Sequence, residues 1–147
     1  MNLFRIVISV FLSVFLLACV FTNKTLTTEY SAAADVNQDI YRMPSPLVIM
    51  TYQLKSVNAF KNADFFSLYP NPTTTLGEDL VSLEQTEIKP QQKLVFTEKI
   101  LPPTKFIAVI AAYRDIDNAI WRVVIPVAKI KHRKLKILFQ NDKLVVY

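Results

Sequence analysis

Leu16-Leu17-Ala18-Cys19 is the stretch best equipped for covalent chemistry, and it holds the only cysteine in the chain. An apolar residue three positions back, a small residue directly before, and then Cys is the pattern of a bacterial lipobox. In that chemistry the thiol is alkylated by a diacylglyceryl group, the chain is cut before the cysteine, and the new amino terminus is acylated. Each residue type is needed. The thiol is the nucleophile, Ala18 is small enough for the peptidase subsite, and the apolar run holds the bond in the membrane. Leu17 is bulkier than the Ala, Ser or Thr often found at its position. A packed core cysteine is the first alternative, but a Cys this near the start has no obvious core to join. An uncleaved anchor is the second. The run from Ile6 to Phe21 includes Ser9 and Ser13 and falls short of the roughly 20 apolar residues a span needs. Arg5 followed by a short apolar region fits a secretory signal. The expected organisation is a cleaved lipoprotein signal peptide over residues 1–18, a lipidated tether over 19–23, and one domain over 24–147.

Little other chemistry is available. His132, the single histidine, lies in a basic turn with no nucleophile motif beside it. Asp115-Ile116-Asp117 resembles the start of a calcium loop. However, Ile120 stands at the glycine position and Pro126 at the closing Glu position, so the pair reads as a turn. One glycine, Gly77, cannot form a phosphate-cradling loop. With Cys19 acylated, no thiol remains for a disulfide or a metal. No metal, no cofactor beyond the covalent lipid and no catalysis are therefore expected. Lys129, Lys131, Arg133, Lys134 and Lys136 form a basic run without an acid. It suits anionic headgroups, an acidic partner, or simple protection of an exposed strand, the default. The formal charge of +5 falls to +4 once Arg5 is removed with the signal. That is too mild, on its own, for a nucleic-acid partner.

The elements that must position these residues are mostly strands. One glycine against eight prolines, with 52% hydrophobic residues, indicates a β-rich domain with proline-punctuated loops. Lys24 to Ala32 alternates, with Leu26, Thr28, Tyr30 and Ala32 on one face. Ala33 to Pro46 keeps no period and reads as a long loop carrying Ile40, Tyr41, Arg42 and Met43 together, a composition favoured in interface cores. Leu47 to Lys55 is the second strand. A helical insertion at about 57–81 follows, with Ser56 or Asn58 as cap, Asn62 capping a continuation to Tyr69, and Thr75 to Glu78 as a capping box. Strands then run from Leu83, Leu94 (with Leu94 and Phe96 inward), Lys105 and Trp121, and a terminal hairpin closes the chain. Lys105 to Tyr113 has the profile of a central strand covered on both faces. The fold class is mostly β, a two-layer β-sandwich with a small helical insertion.

Several features stand in a telling order. They are Cys19, Asn37-Gln38-Asp39, Pro44-Ser45-Pro46-Leu47-Val48, Tyr52-Gln53-Leu54-Lys55, Phe60, Ala63-Asp64-Phe65, Leu68, Ala111-Ala112-Tyr113-Arg114-Asp115 and Trp121-Arg122. In this order and spacing the chain resembles the outer-membrane lipoprotein of type VI secretion systems, TssJ. The resemblance implies a transthyretin-like sandwich without enzymatic activity. It also implies a role in holding the periplasmic domain of the inner-membrane partner TssM against the outer membrane, with no nucleic acid and no small-molecule substrate. It places the partner contact on the first inter-strand loop, Ala34 to Ser45. The candidates there are Asp35, Asn37, Gln38, Asp39, Ile40, Tyr41, Arg42 and Met43. The family's Asn-Pro-Asp is Asn-Gln-Asp here, and its Pro-Gly is Pro90-Gln91. Val20 after the cysteine, rather than Asp, points to the periplasmic face of the outer membrane. The expected arrangement is a domain held close to the bilayer, gripping its partner through a loop beside the membrane-proximal strand. A lipid or small-molecule carrier with a cavity between its sheets is the competing expectation.

Overall fold

The computed structural model describes residues 24–147. The expected signal peptide, Cys19 and the expected tether lie outside the described residues. β1 (Thr25–Ala32) is the second strand of a four-stranded sheet ordered β4-β1-β7-β8, where β4 is Lys93–Lys99, β7 is Lys134–Phe139 and β8 is Leu144–Val146. β1 runs antiparallel to β4 and parallel to β7. The other sheet, ordered β3-β2-β5-β6, is antiparallel throughout and comprises β3 (Leu80–Ile88), β2 (Leu47–Leu54), β5 (Phe106–Ala111) and β6 (Arg122–Pro126).

Period-2 alternation decides what each strand buries. From the first sheet Leu26, Tyr30, Leu135, Ile137 and Phe139 meet Leu47, Ile49, Ile107, Val109 and Ala111 of the second, forming the core between the sheets. The opposite face of the second sheet is also buried. Met50, Tyr52, Leu54, Ala108 and Ile110 pack under Phe60, Leu68 and Leu76 of the helical insertion. β5 is therefore covered on both sides, which explains its unbroken apolar run. The insertion is pinned from below by Arg122, whose guanidinium donates to the carbonyls of Phe60 (3.1 Å) and Ala63 (2.8 Å) and lies over the Trp121 ring.

The insertion differs from expectation in its caps. α1 (Asn58–Asn62) ends at Ala63, and α2 (Phe65–Leu68) starts afresh with Asp64 as N-cap, its carboxylate accepting from the Ser67 amide at 2.7 Å. Asn62 is thus the last residue of α1, not a cap. Hydrogen bonding by the Ser67 hydroxyl, and next by the Ser67 amide, holds the Asp64 carboxyl below its ordinary pKa. Thr75 to Glu78 is not a capping box, because α3 (Pro72–Leu76) already contains Thr75. Pro72 begins that helix as readily as it ends the preceding one, since N1 requires no amide donor. The Thr75 hydroxyl donates back to the carbonyls of Asn71 and Ser67. β3 begins at Leu80, three residues earlier than expected.

Two details concern the first sheet. Phe96 does sit on the face it shares with Thr28, but β4 is the sheet's edge and the ring remains 40% exposed. Lys134 and Lys136 are on β7, which pairs with β1 along its length but with β8 only from Ile137 to Phe139. They occupy its solvent face, Lys136 opposite Glu29 and near the Tyr147 ring.

At the foot of the sandwich the sheets are tied by Gln53, which is buried. Its amide donates to the Lys99 carbonyl (2.8 Å) and the Glu98 carboxylate (3.3 Å), and its oxygen accepts from the Leu101 amide and the Thr104 hydroxyl, both at 2.9 Å.

Candidate functional site: the loop joining the first two strands

Residues 33–46 leave the top of β1 and return into β2. β1 advances about 3.3 Å per residue, so this loop stands roughly 23 Å from the strand's first residue. The loop is therefore at the far end of the domain from Lys24, the first described residue.

The loop has a buried base and an exposed tip. Val36 is fully buried, and its carbonyl accepts from the Ser45 amide at 3.2 Å, closing the base. Asn37 is 4% exposed and adopts φ 50°, a left-handed conformation that Asn tolerates better than most residues. Its side-chain amide donates to the Pro46 carbonyl (2.8 Å) and its oxygen accepts from the Arg114 amide (2.8 Å). Its own backbone amide donates to the Asn141 carbonyl (3.1 Å), and the Asn141 side-chain oxygen accepts from the Gln38 amide. The Asn37 side chain thus links the loop to the start of β2 and the β5–β6 connection, while its backbone amide ties it to the β7–β8 hairpin.

Asn37 was a candidate contact residue, and the structure places its polar atoms inside the domain instead. Asp39 is partly spent the same way. One carboxylate oxygen accepts from the Tyr41 (2.8 Å) and Met43 (2.9 Å) amides, curling the tip into an Asx-type turn that also bonds the Asp39 amide to the Met43 carbonyl. Arg42, at φ 61°, completes the turn. Asp35, Ile40, Tyr41, Arg42 and Met43 are exposed, whereas Gln38 is half-buried. The apolar tip residues are very open, Ile40 at 89%, Tyr41 at 78% and Met43 at 61%. Three large apolar side chains on one short, internally bonded turn serve no core, so their exposure needs another reason.

Beside the tip lies a polar notch of about 200 Å³ lined by Asn37, Gln38, Asp39, Tyr113, Asp115, Asn141 and Asp142. Composition alone did not single out Tyr113 for a site. Its hydroxyl is buried and has no hydrogen-bond partner among the described residues. Burial, reinforced by the nearby Asp142 charge, raises its pKa and keeps the phenol protonated.

A second hollow, about 310 Å³, opens at the lip between the unpaired edges of β3 and β4, over Thr28, Tyr30, Thr51, Phe96 and Glu98. Its floor carries the 2.6 Å bond between the Tyr30 and Thr51 hydroxyls, and burial pushes the Glu98 carboxyl pKa upward. It is a cleft at the rim of the sandwich, whose middle is filled by Leu26, Ile49, Val109, Ile137 and Phe139. The middle of the sandwich is thus filled, and the hollow is confined to its rim.

The five candidate bases are not equivalent. Lys129, Lys131, Arg133 and Lys134 gather at the foot of the domain, on two 3-10 turns and the start of β7, while Lys136 lies farther along the strand.

The profile of the type VI secretion lipoprotein family (T6SS-SciN; VasD, EvfM, TssJ) matches residues 24–142. The fold is similar to that of the T6SS lipoprotein TssJ1 from Pseudomonas aeruginosa, at TM-score 0.79 and 29% identity over 85% of this chain and 95% of that one. It is also similar to Lip of Serratia marcescens, described as a membrane-bound component of the type VI secretion system, at TM-score 0.76 and 25% identity over 86% and 97%. A chain in the structure titled T6SS protein TssM C-terminal domain, from EAEC, shares the fold at TM-score 0.74 and 22% identity over 84% and 98%. No curated protein matches the chain by sequence. With the matched profile running from the first described residue to the terminal hairpin, the chain belongs to the type VI secretion lipoprotein family.

Proposed function

We propose that a lipid on Cys19 anchors this protein to the periplasmic face of the outer membrane, and that the tip of the 33–46 loop grips the periplasmic domain of the inner-membrane component TssM. The role is mechanical and non-catalytic. A single acyl chain binds a bilayer only marginally, and each buried methylene adds about 0.8 kcal/mol, so a triacylated cysteine is in effect permanent. The observation that carries the partner assignment is the exposed Ile40-Tyr41-Met43 tip on a base fixed by Val36 and Asn37. A rigid tip loses little entropy on docking, and a Tyr flanked by apolar residues is the usual make-up of an interface hot spot. Family membership supports the secretion-system setting, and the chain sharing this fold in the TssM-titled structure supports the choice of partner. The notch beside the tip suits a cationic partner side chain, with Asp115 and Asp142 supplying charge and the Tyr113 hydroxyl a spare hydrogen bond.

Deleting the whole loop is a poor test, because Val36 and Asn37 would go with it. The triple variant Ile40→Ser, Tyr41→Ala, Met43→Ser leaves the base intact. Its affinity for the TssM periplasmic domain is expected to fall at least about 100-fold, the scale of a lost hot spot, with an unchanged melting temperature. Undiminished affinity would remove the loop from the interface. For the anchor, Cys19→Ser should abolish metabolic incorporation of a palmitate analogue. A labelled Cys19→Ser protein would overturn the lipid assignment.

A further inference from the structure

Folding collects bases that are far apart in sequence at the end of the domain where the described chain begins. Lys24 precedes β1, and its carbonyl accepts from the Ile100 amide at 2.7 Å, just past Lys99 on β4. Lys105 enters β5 bonded to Leu54 at the foot of β2, and its carbonyl accepts from Val127 at the first 3-10 turn. Lys129, Lys131, Arg133 and Lys134 complete the set. All seven are exposed, and none is in an ion pair among the described residues. Acids are few at this end. Glu98 faces inward toward Gln53, Glu78 pairs with Lys55 at 3.5 Å, and Asp79, whose carbonyl accepts from the Lys55 amide, is the remaining acid at the foot of β2. Leu101, 40% exposed, bonds its amide to Gln53 at the same end.

The tether makes this placement consequential. From Cys19 to Lys24 is five residues, a span of at most about 18 Å when fully extended. If Cys19 is acylated, as proposed above, the basic end cannot move far from the headgroups.

We propose that the Lys24, Lys99, Lys105, Lys129–Lys134 end of the sandwich is a second, electrostatic membrane contact that seats on anionic phospholipid headgroups. Seated this way, the domain stands on its basic foot and presents the Ile40-Tyr41-Met43 tip away from the bilayer. The contact rests on the anchor reading for its setting, but its own chemistry is separable from the lipid. Each base near an anionic surface contributes about fivefold to partitioning, and the contribution fades with added salt.

The test uses residues 20–147, which contain every strand and the whole core but no Cys19, so success or failure of lipidation does not enter. Sedimentation with phosphatidylcholine vesicles, with and without phosphatidylglycerol, should show binding only when the anionic lipid is present, and loss of that binding in high salt. Replacing Lys129, Lys131, Arg133 and Lys134 together by Gln should weaken it at least tenfold. Replacing Lys61, Lys89, Arg114 and Lys143 by Gln, an equal loss of charge elsewhere on the surface, should leave it nearly intact. Equal loss in both quadruple variants would overturn the proposal in favour of diffuse net charge. So would an absence of binding to anionic vesicles. Loss of TssM binding in the first variant alone, with vesicle binding unchanged, would reassign this end to the protein partner.

Discussion

Gln53→Ala is expected to lower the stability of the domain by about 4 kcal/mol, a drop of some 10–20 °C in melting temperature. Four groups depend on that one side chain: the Lys99 carbonyl, the Glu98 carboxylate, the Leu101 amide and the Thr104 hydroxyl. A buried polar group left without a partner costs about 1–3 kcal/mol, and water entering the vacated volume offsets part of the sum. Gln53→Met separates the contributions, since it keeps the volume and loses all four bonds. Denaturant titration of the three proteins should therefore place Gln53→Met close to Gln53→Ala. A Met variant as stable as the parent would mean that Gln53 merely fills space. The loss is expected to be structural alone, leaving the distant loop tip its affinity under conditions where the protein is folded.

Asn37→Ala is expected to cost about 3 kcal/mol and, unlike Gln53→Ala, to weaken partner binding in the molecules that remain folded. The side chain satisfies the Pro46 carbonyl and the Arg114 amide from a left-handed backbone, so Ala loses both bonds and adds conformational strain. Asn37→Gly relieves the strain without restoring the bonds and should recover about 1 kcal/mol of the loss. Amide hydrogen exchange offers a local readout. The Arg114 amide should lose protection in both variants, while β2 and β5 keep theirs. Retained protection at Arg114 would show that the bond does not hold the loop base.

How much of this could be read before folding depended on the range of the interaction. Strand alternation in 25–32, the apolar run of 106–111 and the proline-bounded loop are local patterns, and each appears where it was expected. The helical insertion also lies between the second and third strands, but its caps were misassigned. Asp64 outcompeted Asn62, and Pro72 opened a helix that Thr75 was expected to open. Such choices turn on single hydrogen bonds that neighbouring residues can supply equally well. Asn37 was singled out correctly as a residue of the loop and wrongly as a surface one. Nothing local distinguishes an Asn aimed at a partner from one aimed at the Arg114 amide, 77 residues away.

The chain's own order of residues determined its class, a β-rich domain, because period-2 burial is written in adjacent positions. Family membership was legible for a related reason, since spaced motifs survive without coordinates. Tertiary structure alone decided that the loop and the start of β1 occupy opposite ends of the sandwich, and that Lys24, Lys99, Lys105 and the 129–134 run share the latter. Those are consequences of strand direction and pairing. A parallel β1–β7 ladder beside an antiparallel β1–β4 ladder brings remote segments to a common level, and no local pattern specifies which segments they are.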